Sequence, residues 1–204
     1  MASLETPVCN YGWKPADFDL LGVDGRRYNL ASVRGRNGLL IMFICNHCPY
    51  VKAVRDRIVR DVAELRQHGI GAVAIMSNDP AEYPEDSFDN MARIASEYKF
   101  PFPYVWDETQ EVAKAYGAVC TPDFFGFNDK LELQYRGRLD ASRKEAASPD
   151  VLEPTPSFPS VAEALFGTAT RQRRSERSLP ALALRNPNEV WMGSAMQESS
   201  GVAA

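Results

Sequence analysis

The feature that most constrains the fold is a strand, a cysteine pair and a helix that follow one another without a gap. Residues 39–44 are all apolar and have the length of a strand that is buried on both faces. Cys45 and Cys48, in a Cys-x-x-Cys spacing, come directly after that run. Apolar residues then recur at helical spacing until Gly69, so we predict a helix over residues 49–68.

The rest of the first 140 residues alternates predicted strands with predicted helices. Apolar runs predict strands at residues 70–76 and 102–106, and helical spacing predicts helices at residues 88–98 and 111–116. Turn residues predict two β-hairpins. The N-terminal one pairs residues 18–20 with residues 28–30, and the terminal one pairs residues 123–127 with residues 131–136. This alternation predicts an α/β sandwich around a central sheet.

The composition changes beyond Lys144, where no further lysine, tyrosine or histidine occurs. Prolines then follow too closely for a long helix, and only residues 161–166 have a helical pattern. We therefore divide the chain into an N-terminal segment (residues 1–10), a folded domain (residues 11–148) and a divergent, loosely structured C-terminal extension (residues 149–204).

Charge and hydropathy exclude several classes of protein. Lys and Arg number 23 and Asp and Glu 27, a net charge of −4, which argues against a nucleic-acid binder that relies on a basic field. The N-terminus has no signal-peptide pattern, and no apolar run approaches the roughly 20 residues of a membrane span. We expect a cytoplasmic protein without membrane or nucleic-acid partners. Four cysteines are too few for a disulfide scaffold, so the close pair is expected to act in catalysis or metal binding.

The position of the cysteine pair at a helix start predicts redox chemistry. Backbone N–H groups and the helix dipole favour a thiolate there, which lowers the thiol pKa. Two thiols one turn apart can close a disulfide and exchange two electrons with another disulfide. His47, between them, is expected to add positive charge beside the thiolate and favour the reduced pair.

Four segments in order carry a resemblance to a known family: residues 13–18, 42–50, 112–117 and 120–123. Residues 11–138 resemble the redoxin branch of the thioredoxin superfamily, which covers AhpC/TSA-related peroxiredoxin-like proteins and the thioredoxins of cytochrome maturation. The resemblance implies a thioredoxin-like three-layer sandwich with a central mixed β-sheet and an N-terminal β-hairpin.

The resemblance also implies roles for residues of the site. Pro122 matches the family's cis-proline opposite the cysteine pair, and Thr121 would present its amide to a substrate disulfide. Cys45 would attack that disulfide and Cys48 would resolve the mixed disulfide. Independently of the resemblance, we expect Cys45 to be the more exposed and more acidic thiol, because Cys48 is shielded by the helix to which it belongs. We also assign Asn46 to substrate binding.

The predicted function is therefore thiol–disulfide oxidation and reduction, without a cofactor. Its substrates would be protein or small-molecule disulfides, and its electron donor a thiol reductant such as a thioredoxin or glutathione system. The main alternative is an antioxidant thiol peroxidase with Cys48 as the attacking residue, because Cys48-Pro49 matches half of the peroxiredoxin pattern. Cys45 stands where that pattern has Thr or Ser, and no arginine is evident beside Asp123.

Two minor alternatives are a metal-binding module and a non-catalytic one. Zn²⁺ held by Cys45, Cys48, His47 and Cys120 is disfavoured because no second close pair of ligands is present, so no metal is assigned. Cys120 is either a third redox thiol or a small buried residue. Thioredoxins carry a buried carboxylate at the position that is Leu39 here. Asp123, near Pro122, is either a substitute for that carboxylate or a capping or turn carboxylate. Cys9 is given no role.

Overall fold

The structure is a computed structural model that describes residues 10–137, residue 139 and the backbone of residues 182–183. The predicted N-terminal hairpin is present as β1 (Leu20–Gly22) and β2 (Arg27–Tyr28), which pair antiparallel. Residue 30, predicted as strand, instead begins the short helix α1 (Leu30–Val33). A reciprocal capping box causes this difference: the Ser32 amide donates to the Asn29 side chain, and the Asn29 amide donates to the Ser32 hydroxyl.

The other predicted strands and helices are present, with ends shifted by a few residues. In chain order they are β3 (Gly38–Phe43), α2 (Pro49–Gln67), β4 (Ile70–Met76), α3 (Phe88–Glu97), β5 (Tyr104–Trp106), α4 (Glu111–Tyr116), β6 (Cys120–Thr121), β7 (Asp123–Asn128) and β8 (Leu133–Gly137). An additional 3₁₀ turn at Pro84–Asp86 lies between β4 and α3. Asp86 in this turn contacts the loop between the two cysteines, as described below.

The central sheet has seven strands in the order β2-β1-β5-β4-β3-β7-β8. β3 is parallel to β4 and antiparallel to β7, so the sheet is mixed. Alternate residues of β3 face opposite layers: Leu40 and Met42 pack with apolar residues of α2 and α3, whereas Leu39 and Ile41 pack with those of α1 and α4. Helices thus cover both faces, which confirms the predicted thioredoxin-like three-layer sandwich.

A second, two-stranded sheet joins distant parts of the chain. The backbone of β6 pairs antiparallel with β9 (Leu182–Ala183), so that Thr121 lies opposite Leu182. The rest of the proposed extension, residues 149–204, lies outside the described residues, as do residues 1–9 with Cys9. Among the helices that the structure describes, none combines the length and apolar character needed to cross a membrane.

Candidate active site

The cysteine pair lies where β3 gives way to α2. Cys45 is in the loop after β3, and Cys48 caps the N-terminus of α2, whose first residue is Pro49. Both thiols are free and almost inaccessible, with exposed fractions of 1% for Cys45 and 0% for Cys48. The helix start predicted from the sequence therefore holds both sulfur atoms inside the protein.

Strand β6 brings Thr121 against both thiols. Sγ of Cys45 lies 3.2 Å from Oγ1 of Thr121, and Sγ of Cys48 lies 3.4 Å from the Thr121 carbonyl oxygen. The bond between Thr121 and Pro122 is cis, as the resemblance implies. Residues more than 70 positions apart in the chain are thus combined into one site.

The two thiols differ strongly in acidity. A hydrogen bond from the Cys45 thiol, together with those from the backbone N–H groups of Val51 and Tyr50, outweighs burial and lowers the pKa of Cys48 to about 6. Burial, the hydrogen bond to Cys48 and the charge of Asp86 raise the pKa of Cys45 well above its ordinary value. Both thiols are buried to nearly the same extent, and the expectation that Cys45 is the more acidic one is wrong, because the hydrogen bond from Cys45 and the helix start favour the thiolate at Cys48.

A buried carboxylate holds the loop between the cysteines. Asp86, in the 3₁₀ turn, accepts hydrogen bonds from the backbone amides of Asn46 (2.6 Å) and His47 (3.1 Å). It also accepts from Nδ1 of His47 at 2.5 Å and from the Asn78 side chain at 3.0 Å. Burial raises the pKa of Asp86, but the hydrogen bonds from His47 and Asn78 outweigh burial and leave that pKa below its ordinary value.

His47 is packed rather than free in solvent. Its ring stacks on Tyr83, with centroids 4.0 Å apart and planes 3° from parallel, and its side chain is only 11% exposed. Its Nδ1 is engaged by the Asp86 carboxylate, and the expected effect of His47 on the thiolate stays a prediction. Neither Tyr83 nor Asp86 was found from the sequence, because both lie in a loop about 40 residues away and belong to no motif.

Asn46 is a structural link between the loop and the sheet. Its side chain is buried, accepts a hydrogen bond from the Tyr104 hydroxyl at 3.1 Å and donates one to the Glu85 carbonyl oxygen at 3.0 Å. Because both ends of the amide are engaged within the protein, the structure does not favour the predicted role of Asn46 in substrate binding.

Asp123 is fully buried beside the end of β3, where it pairs with Phe43 across the sheet. Burial raises the pKa of Asp123 to about 6, although an ion pair of 2.9 Å with Arg136 opposes that rise. No arginine beside Asp123 was evident from the sequence, but in the structure Arg136 lies there. The register of the terminal hairpin could have indicated it, since Arg136 lies opposite Phe125, two residues from Asp123. Its hydrogen bonds go to Asp123 and the Gly117 carbonyl rather than to a thiol.

Within the part of the chain that the structure describes, one group could hold a metal ion. Ligand atoms of Cys45, His47 and Asp86 lie within 4.8 Å of one another, a different set from the Cys45, Cys48, His47 and Cys120 that were considered and disfavoured from the sequence. Here Nδ1 of His47 and the Asp86 carboxylate are already joined by their hydrogen bond. Cys120 is fully buried in β6, next to Thr121.

Three solved structures are similar to this chain. An uncharacterized conserved protein from Geobacillus kaustophilus is 39% identical, with a TM-score of 0.78 and a match over 96% of this chain and 99% of that one. A hypothetical protein from Sinorhizobium meliloti 1021 is 29% identical, with a TM-score of 0.72 over 90% and 96% of the two chains. A peroxidoxin from Mycobacterium tuberculosis is 14% identical over 80% and 100%, and its TM-score of 0.58 shows a shared fold alone.

No curated protein is similar enough to this chain to count as a match. The family model described as the AhpC/TSA family matches residues 12–136, which include the cysteine loop, Thr121 and Arg136. That match spans well over half of the 204 residues. The chain therefore belongs to the AhpC/TSA family, within the redoxin branch of the thioredoxin superfamily.

Proposed function

We propose that this protein is a thiol–disulfide oxidoreductase whose redox pair is Cys45 and Cys48. The observation that carries the proposal is the environment of the pair: both thiols are buried and both contact Thr121. The neighbouring Cys45 thiol is the largest cause of the lowered pKa of Cys48. A thiolate stabilised at Cys48 beside a protonated Cys45 is the form in which a dithiol can attack a disulfide.

The reaction proceeds through two exchanges. The Cys48 thiolate attacks one sulfur of the substrate disulfide, and the substrate bond breaks to release a first thiolate that takes up a proton. Cys45 then loses its proton and attacks Cys48 in the mixed disulfide, which closes the Cys45–Cys48 bond and releases a second thiol. Two electrons pass to the substrate, and its two thiols take one proton from Cys45 and one from solvent. This order reverses the one expected from the sequence, and the lowered pKa of Cys48 supports the reversal.

The substrates and partners follow from this chemistry. Protein or small-molecule disulfides accept the electrons, and a thiol reductant such as a thioredoxin or glutathione system restores the dithiol. We place the protein in the cytoplasm, where thiols are kept reduced, because its few cysteines form no scaffold pattern. Thr121 is the residue that we propose to lie against the substrate, since it contacts both sulfur atoms.

Mass spectrometry of the alkylated protein tests the redox pair. After treatment with hydroxyethyl disulfide, we expect a Cys45–Cys48 disulfide that dithiothreitol reverses, and Cys120→Ser should behave like the wild type. Single Cys45→Ser and Cys48→Ser variants should each lose steady-state reduction of the disulfide, with Cys45→Ser retaining a mixed disulfide at Cys48. Oxidised protein in which both thiols can still be alkylated would contradict the proposal.

One observation favours a second function, a thiol peroxidase. The lowered pKa of Cys48, to about 6, supplies the thiolate that a peroxide-attacking cysteine needs, and Pro49 follows it as in peroxiredoxins. In that reaction the thiolate would take one oxygen atom from hydrogen peroxide to form a sulfenic acid, and Cys45 would then displace water to close the disulfide. Dimedone labelling of Cys48 in Cys45→Ser at low peroxide tests this function. Consumption of peroxide faster than of disulfides would make it the primary one.

A further inference from the structure

A cavity of about 330 Å³, open to solvent, borders the loop that carries the cysteines. Its lining comes from that loop, α2, the 3₁₀ turn and α3, and includes Asn46, Lys52, Arg55, Glu85, Arg93 and Tyr98. This volume is at the lower end of the range of small-molecule sites. The cavity thus has room for part of a small ligand beside Asn46, the residue after Cys45.

The cations of this cavity differ in their partners. Lys52 pairs with Glu85 at 2.8 Å, and Arg93 pairs with Glu97 at 2.6 Å, so these two exposed cations are neutralised locally. Arg55, by contrast, has no carboxylate partner among the described residues. Its guanidinium makes a single hydrogen bond, to the Asn46 carbonyl oxygen at 3.5 Å.

Arg55 is also the most buried of these cations, with an exposed fraction of 7%. Its Cζ lies 4.6 Å from the centre of the Tyr98 ring, which is a cation–π contact. A buried cation without a counter-ion is costly, and a guanidinium has five N–H donors in a fork that matches a carboxylate. The cavity therefore contains a positioned cation whose charge and donors are largely unused.

We propose that this cavity binds the carboxylate of a small thiol or disulfide and that Arg55 holds it. The inference rests on the proposed function and deepens it by naming the substrate class: small disulfides that carry a carboxylate, and the thiols that they yield. Arg55 contacts the carbonyl of Asn46, so a carboxylate bound to it lies beside the reactive loop. A planar carboxylate can accept two parallel hydrogen bonds from the guanidinium.

A binding experiment tests the site without any redox step. The probe is S-methylglutathione, which has carboxylates and no free thiol, titrated calorimetrically into the full chain. Because Arg55→Gln removes a charge-assisted hydrogen bond, we expect this variant to bind the probe at least about tenfold more weakly than the wild type. Arg55→Lys should retain part of the affinity, and Arg57→Gln, which removes the same charge from α2 outside the cavity lining, should bind as the wild type does. Absence of binding by the wild type at millimolar probe, or equal affinity in Arg55→Gln, would overturn the proposal.

A kinetic comparison of two disulfides then distinguishes an effect of Arg55 on carboxylate binding from an effect on disulfide reduction itself. Arg55→Gln should raise KM for the anionic substrate dithiodipropionate several-fold and leave the neutral substrate hydroxyethyl disulfide unaffected. Equal loss on both disulfides would show a merely structural role for Arg55 and overturn the proposal. If the wild type reduces neither disulfide, the proposed function fails, while the calorimetric titration still decides whether Arg55 binds a carboxylate.

Discussion

Nδ1 of His47 donates to Oδ2 of Asp86 at 2.5 Å, and the same carboxylate accepts the backbone N–H groups of Asn46 and His47. One side chain, 39 residues further along the chain, thus fixes the loop between the two cysteines. Burial is the largest cause of the raised pKa of Cys45, and the nearby negative charge of Asp86 raises that pKa further, which leaves Cys48 as the site of ionisation. The acidity of the pair is therefore set partly from outside the Cys-x-x-Cys segment.

Alkylation kinetics should locate the thiolate at Cys48. The rate of its reaction with iodoacetamide should rise around pH 6, because hydrogen bonds from Cys45 and from the helix N-terminus stabilise the thiolate. In Cys45→Ala the midpoint should move upward, since the hydrogen bond from Cys45 is the largest cause of the lowered pKa. Peptide mass spectrometry over a pH series measures both. A wild-type midpoint near the value of an ordinary thiol, about 8.5, would contradict this assignment.

Replacing Asp86 by Asn should change both stability and thiol acidity. The variant keeps the size of the side chain but loses the charge, so the pKa of Cys45 should fall towards its ordinary value. Weaker hydrogen bonds to the loop should cost about 1–3 kcal/mol of unfolding free energy. Urea unfolding and alkylation of Cys45 measure the two effects. Asp89→Asn, at an exposed position of α3, is the matched control, and an Asp86 variant indistinguishable from it would argue against this role.

The ion pair of Asp123 and Arg136 should make the effect of losing Arg136 on the free energy of unfolding depend on pH. The folded-state pKa of Asp123 is raised to about 6, so the cost of its buried charge appears as pH rises through that value. Arg136→Gln removes the counter-ion and should lower the unfolding free energy by about 3–5 kcal/mol at pH 8. At pH 5 the loss should be smaller, because the carboxyl group is then protonated.

Urea unfolding of Arg136→Gln at the two pH values measures this difference. Arg26→Gln, whose side chain is 80% exposed, serves as the control and should change stability little at either pH. An equal loss at pH 5 and pH 8 for Arg136→Gln would show that the charge of Asp123 is not the cause.

A protein that ends at residue 148 should keep its disulfide reductase activity. The residues that we place in the site lie between Cys45 and Arg136, and β9 is the described part of the chain beyond residue 148. Loss of the pairing between β6 and β9 should lower the melting temperature. Limited proteolysis of the full chain should cut the extension first. Truncation that abolishes activity while the core stays folded would refute the hypothesis that the extension has no catalytic part.

The sequence by itself determined the elements that depend on neighbouring residues. The buried β3, the start of α2 at Pro49 and its end near Gly69 follow from apolar periodicity and from the backbone preferences of proline and glycine. The four motifs in order were enough to predict the thioredoxin-like fold, because each occupies a fixed place on those elements. The short helix α1 was missed, although its capping box at Asn29 and Ser32 was a local signal.

Only the tertiary structure decided which thiol is ionised and what surrounds it. The pKa of a thiol depends on burial and on charges and donors within a few ångströms, and here these come from α2, β6 and the 3₁₀ turn. Asp86, Arg136 and Arg55 belong to no motif, so their importance comes from the residues that the fold places beside them. Local patterns specify the backbone, whereas electrostatics acts through space between residues that the sequence separates.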